Sequence, residues 1–170
     1  MNVIEAIRTK RAVRQFQDKP LPDEVVTTIL NAGRLAPSSK NTQPWHFIAI
    51  RDRAILQALA QAGPYATHLA GAALGVAILT PPPEERLSIM FDAGQAAAYM
   101  QLAAWELGVA SCLGSIYEME QARAILGFPT ELHLRMSISF GYPWPSSEPS
   151  PPPKQGGRRP LAEMVHWDKW

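Results

Sequence analysis

The sequence predicts one α+β domain, and three stretches carry that prediction. Residues 92–107 place Ala, Met and Leu at helical spacing and close on Gly108. Residues 72–79 are apolar on both faces, as a strand covered on both sides must be. Residues 134–140 alternate, Leu134, Met136, Ile138 and Phe140 against Arg135, Ser137 and Ser139, which is the period of a strand with one polar face. A chain of 170 residues suits a single domain with a substantial core, and no internal repeat divides it.

The remaining elements follow in order. Asn2 can cap a short first helix whose apolar side holds Val3, Ile4 and Ile7. A basic segment then runs to Phe16 and meets the breakers Pro20 and Pro22. A second helix starts near Pro22 with Asp23 and Glu24 in its first turn, where the helix dipole favours acids. Val25, Val26, Ile29, Leu30 and Leu35 form its buried side, and Pro37 stops it. Residues 45–50 read as a strand, and residues 52–61 as a helix with Ile55, Leu56 and Leu59 inward and Gly63 as terminator. Pro81-Pro82-Pro83 ends the apolar strand. The helix over 92–107 has little polar face, so it belongs at the centre of the fold or in a subunit contact. A short strand over 109–113 and a helix over 118–126, ended by Gly127 and Pro129, complete the core set.

Residues 143–157 are rich in Pro, Ser and Gly and read as an irregular connection. The tail over 158–170 carries Leu161, Met164, Val165, Trp167 and Trp170. Each such side chain gains roughly 1.5–3 kcal/mol on burial, so the tail is expected to dock on its own subunit or on a partner.

Composition excludes several classes. A net charge of +1 lacks the field of a nucleic-acid binder, and the cations cluster instead at Lys10/Arg11/Arg14 and Lys154/Arg158/Arg159, which suits a small anionic ligand. Cys112, the single cysteine, allows no intrachain disulfide and reads as a small buried hydrophobe. The start of the chain lacks the layout of a signal peptide, and the longest apolar run, 69–79, is far shorter than a membrane span of about 20 residues. A cytoplasmic protein without membrane or nucleic-acid partners is the expectation. The four histidines show no metal-ligand spacing, so no metal site is expected. A Gly-x-Ser-x-Gly elbow, a Gly-x-Gly-x-x-Gly fingerprint and a Walker loop are all missing from the sequence. Any bound nucleotide phosphate must therefore be held by cationic side chains.

The loop Pro37-Ser38-Ser39-Lys40-Asn41-Thr42-Gln43-Pro44-Trp45 presents hydroxyls, amides and a cation between rigid prolines. Together with Lys10-Arg11-Ala12-Val13-Arg14-Gln15-Phe16 it closely resembles, in order and separation, the flavin-binding signatures of the nitroreductase family. Asp92 to Gly108 is similar to that family's central helix, followed by the Leu113-Gly114-Ser115 turn. Gly141-Tyr142-Pro143 and Arg158-Arg159-Pro160-Leu161 extend the likeness over nearly the whole chain.

The resemblance implies a nitroreductase-like FMN-binding fold: a central mixed or antiparallel sheet flanked by helices, in an intertwined homodimer whose sites take pieces from both subunits. It implies an oxidoreductase taking hydride from NADH or NADPH and passing electrons to a nitroaromatic, quinone-like or other conjugated acceptor. The cofactor carries that chemistry, so no catalytic side chain is required. The phosphate, close to a dianion, would meet Arg11, Arg14 and Arg158, with Lys10 and Arg159 close behind. Lys10 and Arg14 also match positions near the flavin ring or ribityl chain.

By the same resemblance Pro37, Ser38, Ser39 and Asn41 hold the cofactor across the subunit boundary, and Gln43 sets the loop's geometry. Leu113, Gly114 and Ser115 form a turn whose N–H groups reach flavin N5 or O4, and Tyr65 and His68 line the ring's edge. Ala12 stands where many members carry serine, which removes one hydroxyl contact. The residues leave other readings open. Arg11 and Arg14 also suit solvated charges, the serines ordinary turn residues, Trp45 a packed aromatic, His68 a surface or interface histidine, and Arg158 and Arg159 anchors for the tail. An FMN carrier or sensor without turnover, or another FMN reaction such as reductive dehalogenation, shares the same signatures.

Overall fold

The computed structural model describes residues 1–144 and 157–170. Four strands, β1 (His46–Ile50), β2 (Leu74–Thr80), β3 (Ala110–Ser115) and β4 (His133–Gly141), form one sheet in the order β1-β2-β4-β3. Every pairing is antiparallel, which resolves the open choice between a mixed and an antiparallel sheet. One isolated parallel bridge, Ala12 to Ser111, lays the basic segment along the free edge of β3.

Among the described residues five helices flank the sheet: α1 (Val3–Thr9), α2 (Asp23–Arg34), α3 (Arg53–Leu59), α4 (Ser88–Glu106) and α5 (Met119–Leu126). The alternation of β2 sorts its side chains between two cores. Leu74, Val76 and Ile78 pack with Ile29 of α2, Met100 of α4 and Phe140 of β4. Ala77 and Leu79 pack with Leu56 and Leu59 of α3, Ala122 of α5 and Leu134 of β4. Both faces of the sheet are thus covered, and all seven residues of β2 are buried.

The caps follow local chemistry. The Asn2 side chain accepts the Glu5 N–H at 2.9 Å, and Asp52 accepts the Ile55 N–H at 2.9 Å. Gly127 closes α5 in the left-handed conformation that glycine adopts without strain.

Several expectations need correction. Helix α4 begins a turn early, at Ser88, so Asp92 is not its start but a buried residue inside it. The polar face of β4 is not solvated: Ser137 and Ser139 are both fully buried, because the chain over 62–71 packs against the same end of the sheet. Gly63 does not terminate α3, which closes at Ala60. A Cβ at Gly63 would stand 2.2 Å from the Ser115 carbonyl oxygen, so glycine is required there by close packing. In α1 only Ala6 is buried, while Val3, Ile4 and Ile7 stay exposed, as does Leu35 beyond α2. Of the two surfaces on which the tail was expected to dock, its own subunit gives little cover: the residues from 157 to 170 are exposed, from 36% at Val165 to 100% at Trp170. The connection over 143–157 lies mostly outside the described residues. Trp45 and Cys112 are buried as expected, and among the described residues no helix is long and apolar enough to cross a membrane.

Candidate functional site

Two polar constellations lie at opposite ends of α4. The first is built on the free edge of β3. Val13 N–H donates to the Ser111 carbonyl at 3.1 Å, tying the basic segment to the strand. That register brings Lys10 over α4, where its Nζ donates to Gln101 Oε1 at 2.5 Å. Gln101 is buried and in turn donates through Nε2 to the Ala97 carbonyl at 3.3 Å. Burial pushes the Lys10 ammonium below its ordinary pKa.

Arg14 follows on the same segment. Its charge is felt by both His68 and Cys112, and no carboxylate pairs with it among the described residues. Arg11 turns the other way, donating to the carbonyls of Arg8 at 2.8 Å and Lys10 at 3.1 Å near the C-terminus of α1. Lys10 and Arg14 therefore stand as unneutralised cations beside β3. Such a donor set suits an anion, and phosphate in particular. Ala12 contributes its backbone to the bridge with Ser111.

Residues 113–115, expected as a turn after a strand over 109–113, are instead the last residues of β3 on that same edge, because their pairing with β4 continues to Ser115. Ile116 N–H donates to the Arg135 carbonyl of β4 at 2.9 Å, whereas the Ser111 carbonyl points away from β4 to Val13. Alternate residues of a strand face opposite edges. Leu113 and Ser115 thus present their amides outward, while Gly114, in register with Ser137, turns its amide toward β4. The expected Gly114 N–H is therefore not on the outer edge.

His68 is also misplaced by the sequence reading. It is 7% exposed and lines no open surface. Its Nδ1 lies 2.7 Å from Ser139 Oγ and its Nε2 3.2 Å from the Leu113 carbonyl. Burial, with a smaller push from Arg14, lowers its pKa although the Leu113 hydrogen bond works the other way. Tyr65 is exposed, its ring 6.2 Å from that of Tyr117.

The second constellation is the 37–45 loop. Lys40, Asn41 and Gln43 hold φ of 53°, 55° and 47°. Left-handed conformations cost on the order of 1–3 kcal/mol each outside glycine unless the surroundings enforce them. The enforcement is visible. Gln43 N–H donates to Ser38 Oγ at 2.9 Å, Ser39 N–H to Asp92 Oδ1 at 3.2 Å, and Arg86 to Thr42 Oγ1 at 2.6 Å. Arg86 also pairs with Asp92 at 3.5 Å, and the Pro37 carbonyl accepts from Gln95 Nε2 at 3.4 Å. Strain held this firmly suits a loop that presents polar groups to a ligand.

Asp92 and Gln101 are nine residues apart on α4, about 14 Å along its axis. No hydrogen bond or ion pair among the described residues joins the two constellations. Arg158 and Arg159 join neither: both are exposed in the tail.

A model of the nitroreductase family matches residues 7–65 and 62–142. The chain belongs to the nitroreductase family. It is 32% identical over 147 residues to an Archaeoglobus fulgidus protein provisionally named NADH dehydrogenase/NAD(P)H nitroreductase, covering 82% of this chain and 84% of that one. A Methanothermobacter thermautotrophicus protein with the same provisional name is 28% identical over 178 residues, covering 100% of this chain and 88% of its own. Among solved structures, an FMN-dependent nitroreductase from Clostridium difficile superposes with a TM-score of 0.82 at 27% identity, covering 99% of this chain and 100% of that one. Family membership makes this protein a nitroreductase-type oxidoreductase with the family's α+β fold.

Four site residues escaped sequence reasoning: Arg86, Asp92, Gln101 and Ser139. Each supports a residue that the motifs contain, and each sits 44 to 91 positions away from the partner just described. Asp92 and Gln101, polar residues on the inward side of an otherwise apolar helix, carried the one available signal.

Proposed function

We propose that the protein is an FMN-dependent oxidoreductase that works as a homodimer. It takes hydride from NADH or NADPH and passes electrons to a nitroaromatic, quinone-like or other conjugated acceptor. The observation that carries this reading is the unneutralised pair Lys10 and Arg14, one half-buried, beside the outward amides of β3. FMN, when bound, supplies an isoalloxazine that accepts and donates hydride or single electrons.

The chain's own residues do the rest. Arg14 and Lys10 neutralise anionic charge, the phosphate's or that of the reduced ring, and Gln101 holds the Lys10 ammonium in place. The outward amides of Leu113 and Ser115 donate hydrogen bonds to the ring's polar edge. The strained 37–45 loop, at the far end of α4, serves the site of a second copy through Ser38, Ser39 and Asn41. Arg11, Arg158 and Arg159 complete the phosphate's surroundings once the copies assemble. The exposed apolar side of α1, the exposed tail and the free edge of β1 are the surfaces the second copy covers.

Names of the relatives support the nicotinamide donor, and the Clostridium difficile structure supports FMN. The test is a visible spectrum of the purified protein reconstituted with FMN, before and after anaerobic NADH or NADPH. Prompt bleaching, with recovery on adding a quinone, supports the enzyme. Bound flavin that stays oxidised makes the protein a carrier or sensor, and failure to bind FMN refutes both.

A further inference from the structure

His68 is too buried to touch a cofactor, yet its surroundings are specific. A carbonyl oxygen can only accept, so Nε2 must carry a proton and donate to Leu113 O. In the neutral ring Nδ1 is then the acceptor, and the Ser139 hydroxyl, 2.7 Å away, must donate to it. Ser139 Oγ also lies 3.3 Å from the Cys112 carbonyl, a longer contact that its single hydrogen cannot serve at the same time. Leu113 O and Ser139 Oγ together favour the Nε2–H tautomer, and the Tyr65 carbonyl is a further acceptor beside the ring.

The bond falls on a weak point of the strand. The Leu113 carbonyl and the Gly114 N–H belong to one peptide unit, the carbonyl facing the outer edge and the N–H facing β4. Turning that unit over changes ψ of residue 113 and φ of residue 114, and only glycine accepts the latter cheaply. Glycine is needed there for space as well: a Cβ would come within 3.1 Å of Ala66 Cα and 3.2 Å of the His68 ring. Close packing thus puts the most easily flipped residue on the edge that presents the outward amides.

We propose that His68 is a positioning residue that locks the Leu113–Gly114 peptide in one orientation and so fixes the pattern of N–H donors along the outer edge of β3. The part of this inference that concerns flavin rests on the function proposed above. The lock itself does not. Charge near the ring reinforces a neutral imidazole: Arg14 acts on it from the basic segment, Lys10 and Arg14 both act on the neighbouring Cys112 thiol, and no carboxylate pairs with the ring among the described residues. A neutral ring keeps the Ser139 bond, and that bond keeps the ring aimed at Leu113.

Two substitutions separate the ring's two bonds. His68→Gln places an amide N–H near the former Nε2 and keeps the donor to Leu113. His68→Asn places an amide oxygen near the former Nδ1 and keeps only the Ser139 bond. In the cofactor-free protein, 15N NMR of wild type should report the Nε2–H tautomer. Hydrogen exchange at Gly114 should be at least about tenfold faster in His68→Asn than in wild type, and near wild type in His68→Gln. An Nδ1–H tautomer, or equal exchange in the two variants, overturns the lock.

With FMN bound, the midpoint potential should shift in His68→Asn and return toward wild type in His68→Gln. Unshifted potentials in both, on a protein that binds FMN, overturn the lock's role toward the flavin while leaving the enzyme reading intact. A wild type that never binds FMN refutes the enzyme reading, and the tautomer and exchange results still decide the lock. If both His68 variants fail to fold, Ser139→Ala supplies the test: the lock predicts faster Gly114 exchange, and unchanged exchange overturns it.

Discussion

Removing the Asp92 carboxylate should loosen the 37–45 loop more than it weakens the fold. Asp92 is 3% exposed and anchors the loop twice, through the Ser39 N–H at 3.2 Å and through Arg86, which also holds Thr42. A hydrogen bond to a charged group contributes about 1.5–3 kcal/mol. The Arg86 pair adds at most about 1 kcal/mol, because the guanidinium is one-third exposed and screened. Asp92→Ala should therefore cost about 3 kcal/mol, which for a chain of this length lowers Tm by about 6–12 °C. Asp92→Asn keeps an oxygen for Ser39 and loses the charge, so it should cost about 1 kcal/mol. Once the anchor goes, the left-handed conformations at Lys40 and Gln43, worth on the order of 1–3 kcal/mol each, can relax. FMN affinity should then fall in both variants, with Asp92→Ala the weaker binder. Thermal melts beside flavin titrations measure the two effects. An Asp92→Ala protein that melts within about 1 °C of wild type and binds FMN equally well would refute the clamp.

Gly63→Ala should be among the most damaging single changes, since its Cβ would meet the Ser115 carbonyl at 2.2 Å; a loss of about 3 kcal/mol or more in denaturant titration is expected, and wild-type stability would contradict the packing. Gln101→Leu should leave the melting temperature within a few degrees while weakening FMN binding, because it frees the Lys10 ammonium; unchanged affinity in a flavin titration would show that Lys10 needs no such support. Acid should destabilise the fold through His68. Its pKa is lowered in the folded state, so as pH falls through the unfolded value of about 6.5 the unfolded chain takes up a proton that the folded one resists. Stability is thus full above that value and declines below it, and His68→Asn should remove this component of the slope when stability is compared between pH 8 and 5 (roughly one unit and a half either side of that pKa); identical slopes would refute it.

Elements with strong local signals were readable from the sequence. The caps at Asn2 and Asp52, the all-apolar β2 and the alternation of β4 each depend on residues close in the chain. Where reasoning went astray, the deciding contact was distant. Ser137 and Ser139 look solvent-facing by alternation, but the segment over 62–71 covers them. The resemblance puts His68 at the edge of a flavin ring, yet it points from that segment into the sheet, at Ser139 and Leu113. Gly63 reads as a helix terminator, while its real constraint comes from Ser115, 52 positions on. The α1 face and the tail fail differently: Val3, Ile4, Trp167 and Trp170 have the apolar character of buried residues and little or no cover among the described residues. At the site, the motifs display Lys10, Arg14 and Ser39 openly, whereas their supports Gln101 and Asp92 are single polar residues in an apolar helix. Such residues become legible only when α4 is seen running between the two constellations.

The division of the site between two copies is the central claim, and one mixing experiment tests it. Arg14→Ala and Asp92→Ala proteins, each weak in FMN binding alone, would be unfolded together, refolded as a mixture and titrated with FMN. If each site draws its basic edge from one copy and its loop from the other, a mixed dimer places both defects in one site and leaves its second site intact. High-affinity FMN binding should then return to a minority of sites. A mixture that binds no better than its components, although the subunits have exchanged, would contradict the account and place both constellations in the site of a single chain.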